Sequence, residues 1–136
     1  MIAIDSSAIV AILRNEPEAD ALAERIAREP KGERRMSAAS YLEIGSVLAG
    51  RTTGDRLQAI SDLEAFLYDA GISIDAVDER QARLALRARI EHGRGMGHAG
   101  ALNFGDCFSY ALAKTLDAPL LFVGEDFSAT DVASAL

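Results

Sequence analysis

"MIAIDSSAIV", residues 1–10, decides the fold. Apolar residues run from Ile2 to Ile4, an acid follows at once, and two serines open a second apolar stretch. Met1–Asp5 reads as a short buried strand. Ser6 or Ser7 then caps a helix through about Arg14. A strand that passes directly into a helix is the start of a βαβ unit, whose sheet needs cover on both faces.

The same alternation continues along the chain. Pro17 opens a second helix, with Ala21, Leu22, Arg25 and Ile26 in period, that ends near Pro30. Residues 30–35 (PKGERR) read as a charged turn, and Met36–Ala38 as a short strand. Ser40 caps a third helix striped by Ile44, Val47 and Leu48. Gly54 punctuates, and a fourth helix runs to about Ala70. Ile72–Asp75 is a strand, and Asp78 begins a long helix to about His92. "GRGMGHAGA", 93–101, follows a helix rather than a strand and lacks a phosphate-loop pattern, so it reads as a flexible connector. "LNFGDCFSYALAK", 102–114, carries a helix from Phe104, and Pro119–Val123 reads as the fourth strand. Short strands alternating with helices predict an α/β fold: a mostly parallel sheet between helical layers, in a single domain over residues 1–136.

Bulk composition bounds the function. At 49% hydrophobic the chain can bury a core, yet no apolar run approaches the roughly 20 residues of a membrane span. No basic region precedes the first apolar stretch, and the single cysteine, Cys107, suits a reducing compartment; the expected location is the cytoplasm. A net charge of −7 argues against nucleic acid on bulk charge alone. The charges are unevenly spread, however. Arg80, Arg83, Arg87, Arg89 and Arg94 fall in one stretch opposed only by Glu91. That is either a solvated helix face or a local basic patch.

The acids carry the chemistry. Ligands of parallel α/β sheets sit outside the carboxyl ends of the strands. Asp5 ends the first strand, and Glu43 lies early in the helix after the second. Asp106 stands in the first turn of its helix, and Glu125 and Asp126 follow the last strand by one glycine. Singly, each has an ordinary explanation: Asp5 as a cap, and Asn103 with Asp106 as a capping box. Gathered at one edge they would repel, and a proton or a cation would have to neutralise them. Several acids without a nearby lysine form the pattern of a hard divalent site for Mg²⁺ or Mn²⁺. Zinc is disfavoured, because the only other donors are His92, His98 and Cys107, the last reading as a small buried thiol. No Ser–His–Asp triad is suggested, which leaves a metal-activated water for hydrolysis.

These residues resemble the PIN-domain ribonucleases of the VapC type, the toxin half of a bacterial toxin–antitoxin pair. The likeness spans essentially the whole chain. "IAIDSSA" supplies the strand-ending Asp5 and the hydroxyl of Ser7, and "SAASYLEIGSVL" supplies Glu43. "NFGD" supplies Asn103 and Asp106, and "LLFVGEDFSATD" supplies Asp126. Position 125 departs from the pattern, being Glu, so Glu125 and Asp131 compete with Asp126 for the fourth acid, Asp126 being favoured.

The resemblance implies a PIN-like three-layer fold with about five strands, with the tail around Val132 as the candidate for the fifth. It also implies a metal-dependent endoribonuclease acting on structured RNA such as tRNA or rRNA, with Mg²⁺ or Mn²⁺ as cofactor. A VapB-type antitoxin and a second copy of the chain are the implied partners, with no membrane. On that reading Asp5, Glu43, Asp106 and Asp126 form the metal site, with Asp5 and Asp106 the surest ligands. Ser7 and Asn103 orient them or a bound water, Thr130 supports the fourth motif, and Arg80, Arg83, Arg87 and Arg94 contact the RNA backbone. Two neighbours of this reading stay open: a PIN-like nuclease acting on DNA, and a catalytically idle PIN binding module. A phosphoaccepting receiver domain would want paired acids after the first strand and a lysine after the last. A haloacid-dehalogenase-type phosphatase would want an Asp where Ser7 stands.

Overall fold

The computed structural model describes residues 1–136 as a parallel sheet between two helical layers. In chain order the elements are β1 (Ile2–Ile4), α1 (Ser6–Leu13), α2 (Ala19–Arg28), β2 (Arg34–Ser37), α3 (Ala38–Arg51), α4 (Arg56–Ala70), β3 (Ile72–Asp75), α5 (Glu79–His92), α6 (Phe104–Leu116) and β4 (Leu120–Leu121). The strands lie in the order β3-β2-β1-β4 and pair in parallel throughout.

Side chains alternate across the sheet, and two cores follow from that period of two. Ile2, Ile4 and Leu121 face one layer with Ile9 of α1, Leu22 of α2, Ile44 of α3 and Leu63 of α4. Ala3 and Leu120 face the other, against Ala85 and Ala88 of α5 and Cys107, Ala111 and Leu112 of α6. The second core is rich in alanine because α5 and α6 lie close to each other and α6 lies close to β1. Fully burying each Leu or Ile contributes about 1.5–3 kcal/mol, so the aliphatic first core is the larger apolar contribution.

Several boundaries differ from expectation for identifiable reasons. The cap of α1 is Asp5 itself, whose carboxylate accepts from the Ser7 N–H, not Ser6 or Ser7. Pro17 lies in the turn before α2, which begins at Ala19. The second strand is Arg34–Ser37, so the last two residues of the expected charged turn lie in the sheet and Ala38 opens α3. Its arginines hid it. Arg34 is buried because its guanidinium donates to the carbonyls of Ala27 and Glu29 at the end of α2 and of Ala70 at the end of α4. Those are the negative ends of two helices, where a cation is favoured. Arg35 pairs with Asp75 of the neighbouring strand at 2.8 Å. Ser37 rather than Ser40 caps α3, through the Ala39 N–H.

The sheet has four strands instead of about five. The tail does meet the β4 edge, but at Ser134 and through one bridge: Leu120 N–H donates to Ala133 and Ala135 N–H to Leu120. Since β4 is paired over only two residues, it offers no length for a fifth strand to grow on. The glycine-rich segment is tied to the end of α5 near both its ends. Leu102 N–H donates to His92 and Arg94 N–H to Leu102, and His98 joins the Ile90 carbonyl to the Gly100 N–H. A Cβ on Gly100 would stand 2.2 Å from the His92 carbonyl oxygen, so the closure of this loop needs glycine there.

Candidate active site

The acid-rich junctions meet at the carboxyl edge of the sheet. Asp5 leaves β1 at 2% exposure. Its Oδ2 accepts from the Ser7 N–H at 3.0 Å and the Ser7 hydroxyl at 2.6 Å. Its Oδ1 accepts from the Ser109 hydroxyl of α6 at 2.6 Å. Ser7 Oγ accepts in turn from the Val123 N–H just past β4, at 3.0 Å. One hydroxyl thus joins the first acid to the far end of the chain.

Asp106 enters from α6. Asn103 and Asp106 form a reciprocal capping box: Asp106 N–H donates to Asn103 Oδ1 at 2.9 Å, and Asn103 N–H to Asp106 Oδ2 at 3.0 Å. The box fixes the carboxylate at the positive end of the helix. Burial is the largest influence on this carboxyl. With the charges of Asp5 and Asp126 added, and against the pull of the Asn103 N–H, it is pushed up to about 7. Asp126 stands within hydrogen-bonding reach of it. Two carboxyls at that distance need a proton or a cation between them.

Glu43 reaches the same place from α3. The Ser6 hydroxyl donates to it, and its carboxylate lies over Gly105, where an added Cβ would fall 2.1 Å from Oε2. The glycine of the "NFGD" stretch is therefore the space in which Glu43 sits.

The competing tail acids are engaged elsewhere. Glu125 is exposed and accepts from Ser128, while Asp131 accepts from the Tyr110 hydroxyl and from Lys114. Only Asp126 of the three faces Asp106. Thr130 is bonded within its own turn, donating to the Phe127 carbonyl and accepting from the Val132 N–H. Cys107 is a buried thiol that donates to the Asn103 carbonyl.

Arg80, Arg83 and Arg87 line a broad open depression of about 530 Å³ with Glu79 and Leu84. The patch is less bare than the local count suggests, because Arg83 pairs with Glu79 and Arg87 with Glu91 along the helix. Arg94 lies in the glycine loop, where its carbonyl accepts from Arg89.

Three residues of this edge have contacts that a reading of the sequence does not give, although Ser6 and Ser40 read as helix caps. Ser6, Ser40 and Ser109 sit in apolar helical stretches, and the partners that give them meaning lie up to 104 residues away.

The chemistry of the donor set fits a hard cation. It is all oxygen, with no basic side chain hydrogen-bonded to any of the four carboxylates. The acids are grouped without being closed on a point: no three of them stand at coordination geometry. Burial, reinforced by the charges of Asp5 and Asp126, is what holds Asp106 up near neutrality.

A parallel sheet in this order, with acids from the end of β1, from α3 and from α6 at its carboxyl edge, defines the class. A family model described as "PIN domain" matches residues 2–133. The chain is 44% identical over 132 residues to ribonuclease VapC42 of Mycobacterium tuberculosis, covering 97% of both chains. It is 47% identical over 133 residues to ribonuclease VapC28 of the same organism, covering 98% of this chain and 96% of that one. Among solved structures, M. tuberculosis VapC20, described as a sarcin-ricin loop cleaving toxin, superposes with a TM-score of 0.74 at 16% identity, covering 98% of this chain and 97% of that one. A toxin–antitoxin complex from Klebsiella pneumoniae does so at 0.72 and 15% identity, covering 99% and 97%. The chain belongs to the VapC family of PIN-domain ribonucleases.

Proposed function

We propose that this chain is a metal-dependent endoribonuclease, the toxin of a type II toxin–antitoxin pair, which hydrolyses phosphodiester bonds in structured RNA and so inhibits translation. The observation that carries the reading is the carboxyl edge itself: Asp5, Glu43, Asp106 and Asp126 meet there with hydroxyls and backbone N–H groups as neighbours, and burial with mutual repulsion raises Asp106 to about 7. Such a site calls for a cation from outside. Asp5 and Asp106 would hold Mg²⁺ or Mn²⁺, with Glu43 and Asp126 completing the set. Bound there, the ion would lower the pKa of a water and offset charge on the scissile phosphate.

The chain's own residues do the positioning. Ser7 fixes Asp5, Ser6 fixes Glu43, and Asn103 fixes Asp106. Arg80, Arg83, Arg87 and Arg94 carry flanking RNA backbone, a task that sets register rather than sequence.

The substrate class is tRNA or rRNA, by kinship with VapC ribonucleases and with a fold neighbour described as cleaving the sarcin-ricin loop. The partners are a VapB-type antitoxin and a second copy of the chain. A fold neighbour solved as a toxin–antitoxin complex supports the former. No helix is long and apolar enough to cross a membrane, consistent with action in the cytoplasm.

The test is cleavage of total tRNA and rRNA by the purified, antitoxin-free chain in Mg²⁺, Mn²⁺ or EDTA, beside Asp106→Asn. Discrete fragments that need metal and vanish in the variant are expected. Fragments made in EDTA at an undiminished rate would overturn the metal assignment.

A further inference from the structure

The buried serines behind Asp5 form a directed chain. Ser109 is 1% exposed and Ser40 2%. Their hydroxyl oxygens are 3.1 Å apart, and Ser109 Oγ is 2.6 Å from Asp5 Oδ1. A hydroxyl has one proton to give. Asp5 is an acceptor, so Ser109 spends its proton there, and Ser40 must then be the donor to Ser109. The order is Ser40, then Ser109, then Asp5. Hydrogen bonds in such a chain polarise and strengthen one another in a dry interior.

The chain also joins three elements: α3 carries Ser40, α6 carries Ser109, and Asp5 ends β1. Asp5 Oδ2 is already fixed by Ser7, which is two residues away in sequence. Ser109 fixes the other oxygen, and with it the rotation of the carboxylate plane. Neither core packing nor a helix cap asks for these hydroxyls. Alanine would fill both positions in α3 and α6, as it does at Ala39, Ala111 and Ala113. What they do is aim a carboxylate.

We propose that Ser109 and Ser40 are positioning residues of the catalytic edge, a two-hydroxyl relay that sets the orientation in which Asp5 takes up a divalent cation, with Ser40 acting only through Ser109. This rests on the metal-dependent reading above. It makes Ser109 a determinant of metal affinity rather than of fold or of RNA binding.

The experiment measures Mn²⁺ binding by titration calorimetry, melting temperature without metal, and RNA cleavage against Mn²⁺ concentration. The chains are wild type, Ser109→Ala, Ser40→Ala and the double variant. For Ser109→Ala we expect Mn²⁺ affinity to fall on the order of ten- to a hundredfold, the loss typical when a group orienting a metal ligand is removed. Its metal-free melting temperature should stay close to wild type. Raising Mn²⁺ should recover most of the cleavage rate, with KM for RNA unchanged. Ser40→Ala should show a smaller loss in the same direction. The double variant should be no worse than Ser109→Ala, because the effect of Ser40 has no other route.

Wild-type Mn²⁺ affinity in Ser109→Ala would overturn the relay and leave the metal reading standing. So would a loss of cleavage that excess Mn²⁺ does not restore, or a loss that follows a matching drop in melting temperature. Additive losses in the double variant would overturn the direction from Ser40 to Ser109. A wild-type chain that neither binds Mn²⁺ nor needs it for cleavage would overturn the metal reading itself, and the relay with it.

Discussion

The two edges of the sheet treat their carboxylates in opposite ways. At the amino edge Glu29 and Glu33 each have a cation. The Met1 ammonium sits 2.9 Å from Glu29 and 3.0 Å from Glu33, Arg25 also pairs with Glu29, and the Arg34 guanidinium closes the ends of α2 and α4. Hydrogen bonds from the N-terminal ammonium and then Arg25 hold Glu29 below the usual carboxylate range. At the carboxyl edge Asp106 is raised to about 7. The same residue types therefore have opposite pH behaviour on one scaffold. The amino edge is complete in itself. The carboxyl edge has no cation hydrogen-bonded to its carboxylates, and a cluster perturbed in this way marks a candidate functional site.

The strongest way to break the contrast is Asp106→Asn. It removes the charge and keeps the shape. RNA cleavage should fall by at least about a thousandfold, since a metal centre supplies several kcal/mol of transition-state stabilisation and each 1.36 kcal/mol is a factor of ten. The same variant should melt higher than wild type without metal. The sign follows from linkage: an acid raised in the folded state binds more protons folded than unfolded, so wild type loses stability as pH rises from about 3.8 to about 7. The advantage of Asp106→Asn should be near zero at the acid end and full above neutrality. Melting curves across that range, with and without Mn²⁺, check both the slope and its disappearance when the cation binds.

Gly105→Ala is the next largest. Its Cβ would fall 2.1 Å from Glu43 Oε2, so the carboxylate must move. Displacing a catalytic group by about 1 Å costs on the order of a hundredfold in rate. The helix should keep its stability or gain slightly, because alanine is the better helix former. Cleavage that survives undiminished would remove Glu43 from the site.

Arg80→Ala, Arg83→Ala and Arg87→Ala together should raise KM for RNA by about tenfold with kcat held, and flatten the salt dependence of binding. An unchanged salt slope would mark the face as solvated and no more.

Smallest is Glu29→Gln at the finished edge. Exposed pairs contribute little, so the melting temperature should drop by about 2–4 °C with cleavage unaffected. This loss should fade as pH falls. Glu29 is depressed in the fold, so its stabilisation is present above its ordinary value near 4.5 and is lost as acid protonates it.

What the sequence revealed tracks how local each signal is. Asp5 was legible because a strand ends on it, and Asp106 because Asn103 precedes it at capping-box spacing. The strand Arg34–Ser37 was obscured because burial of Arg34 depends on carbonyls of α2 and α4, a tertiary circumstance that overrides polarity. Ser40 read as a helix cap and Ser109 as an ordinary helix residue, since the contacts that define each come from another element. The ties of the glycine loop were hidden for a related reason: they come from the end of α5 and from His98, not from its own composition.

The Ser7 hydroxyl has a consequence for the order in which the chain is made. It links Asp5 to the Val123 N–H, 116 residues later, and the fourth acid of the edge lies further on at Asp126. Domains are synthesised from the amino end at about 5–20 residues per second. Throughout that time the first acid exists without its companions. A nascent chain halted before β4 has no assembled edge, whatever else of its sheet has formed. Until Val123 and Asp126 have emerged, the Ser7 hydroxyl lacks its second partner and Asp106 lacks the carboxylate that faces it.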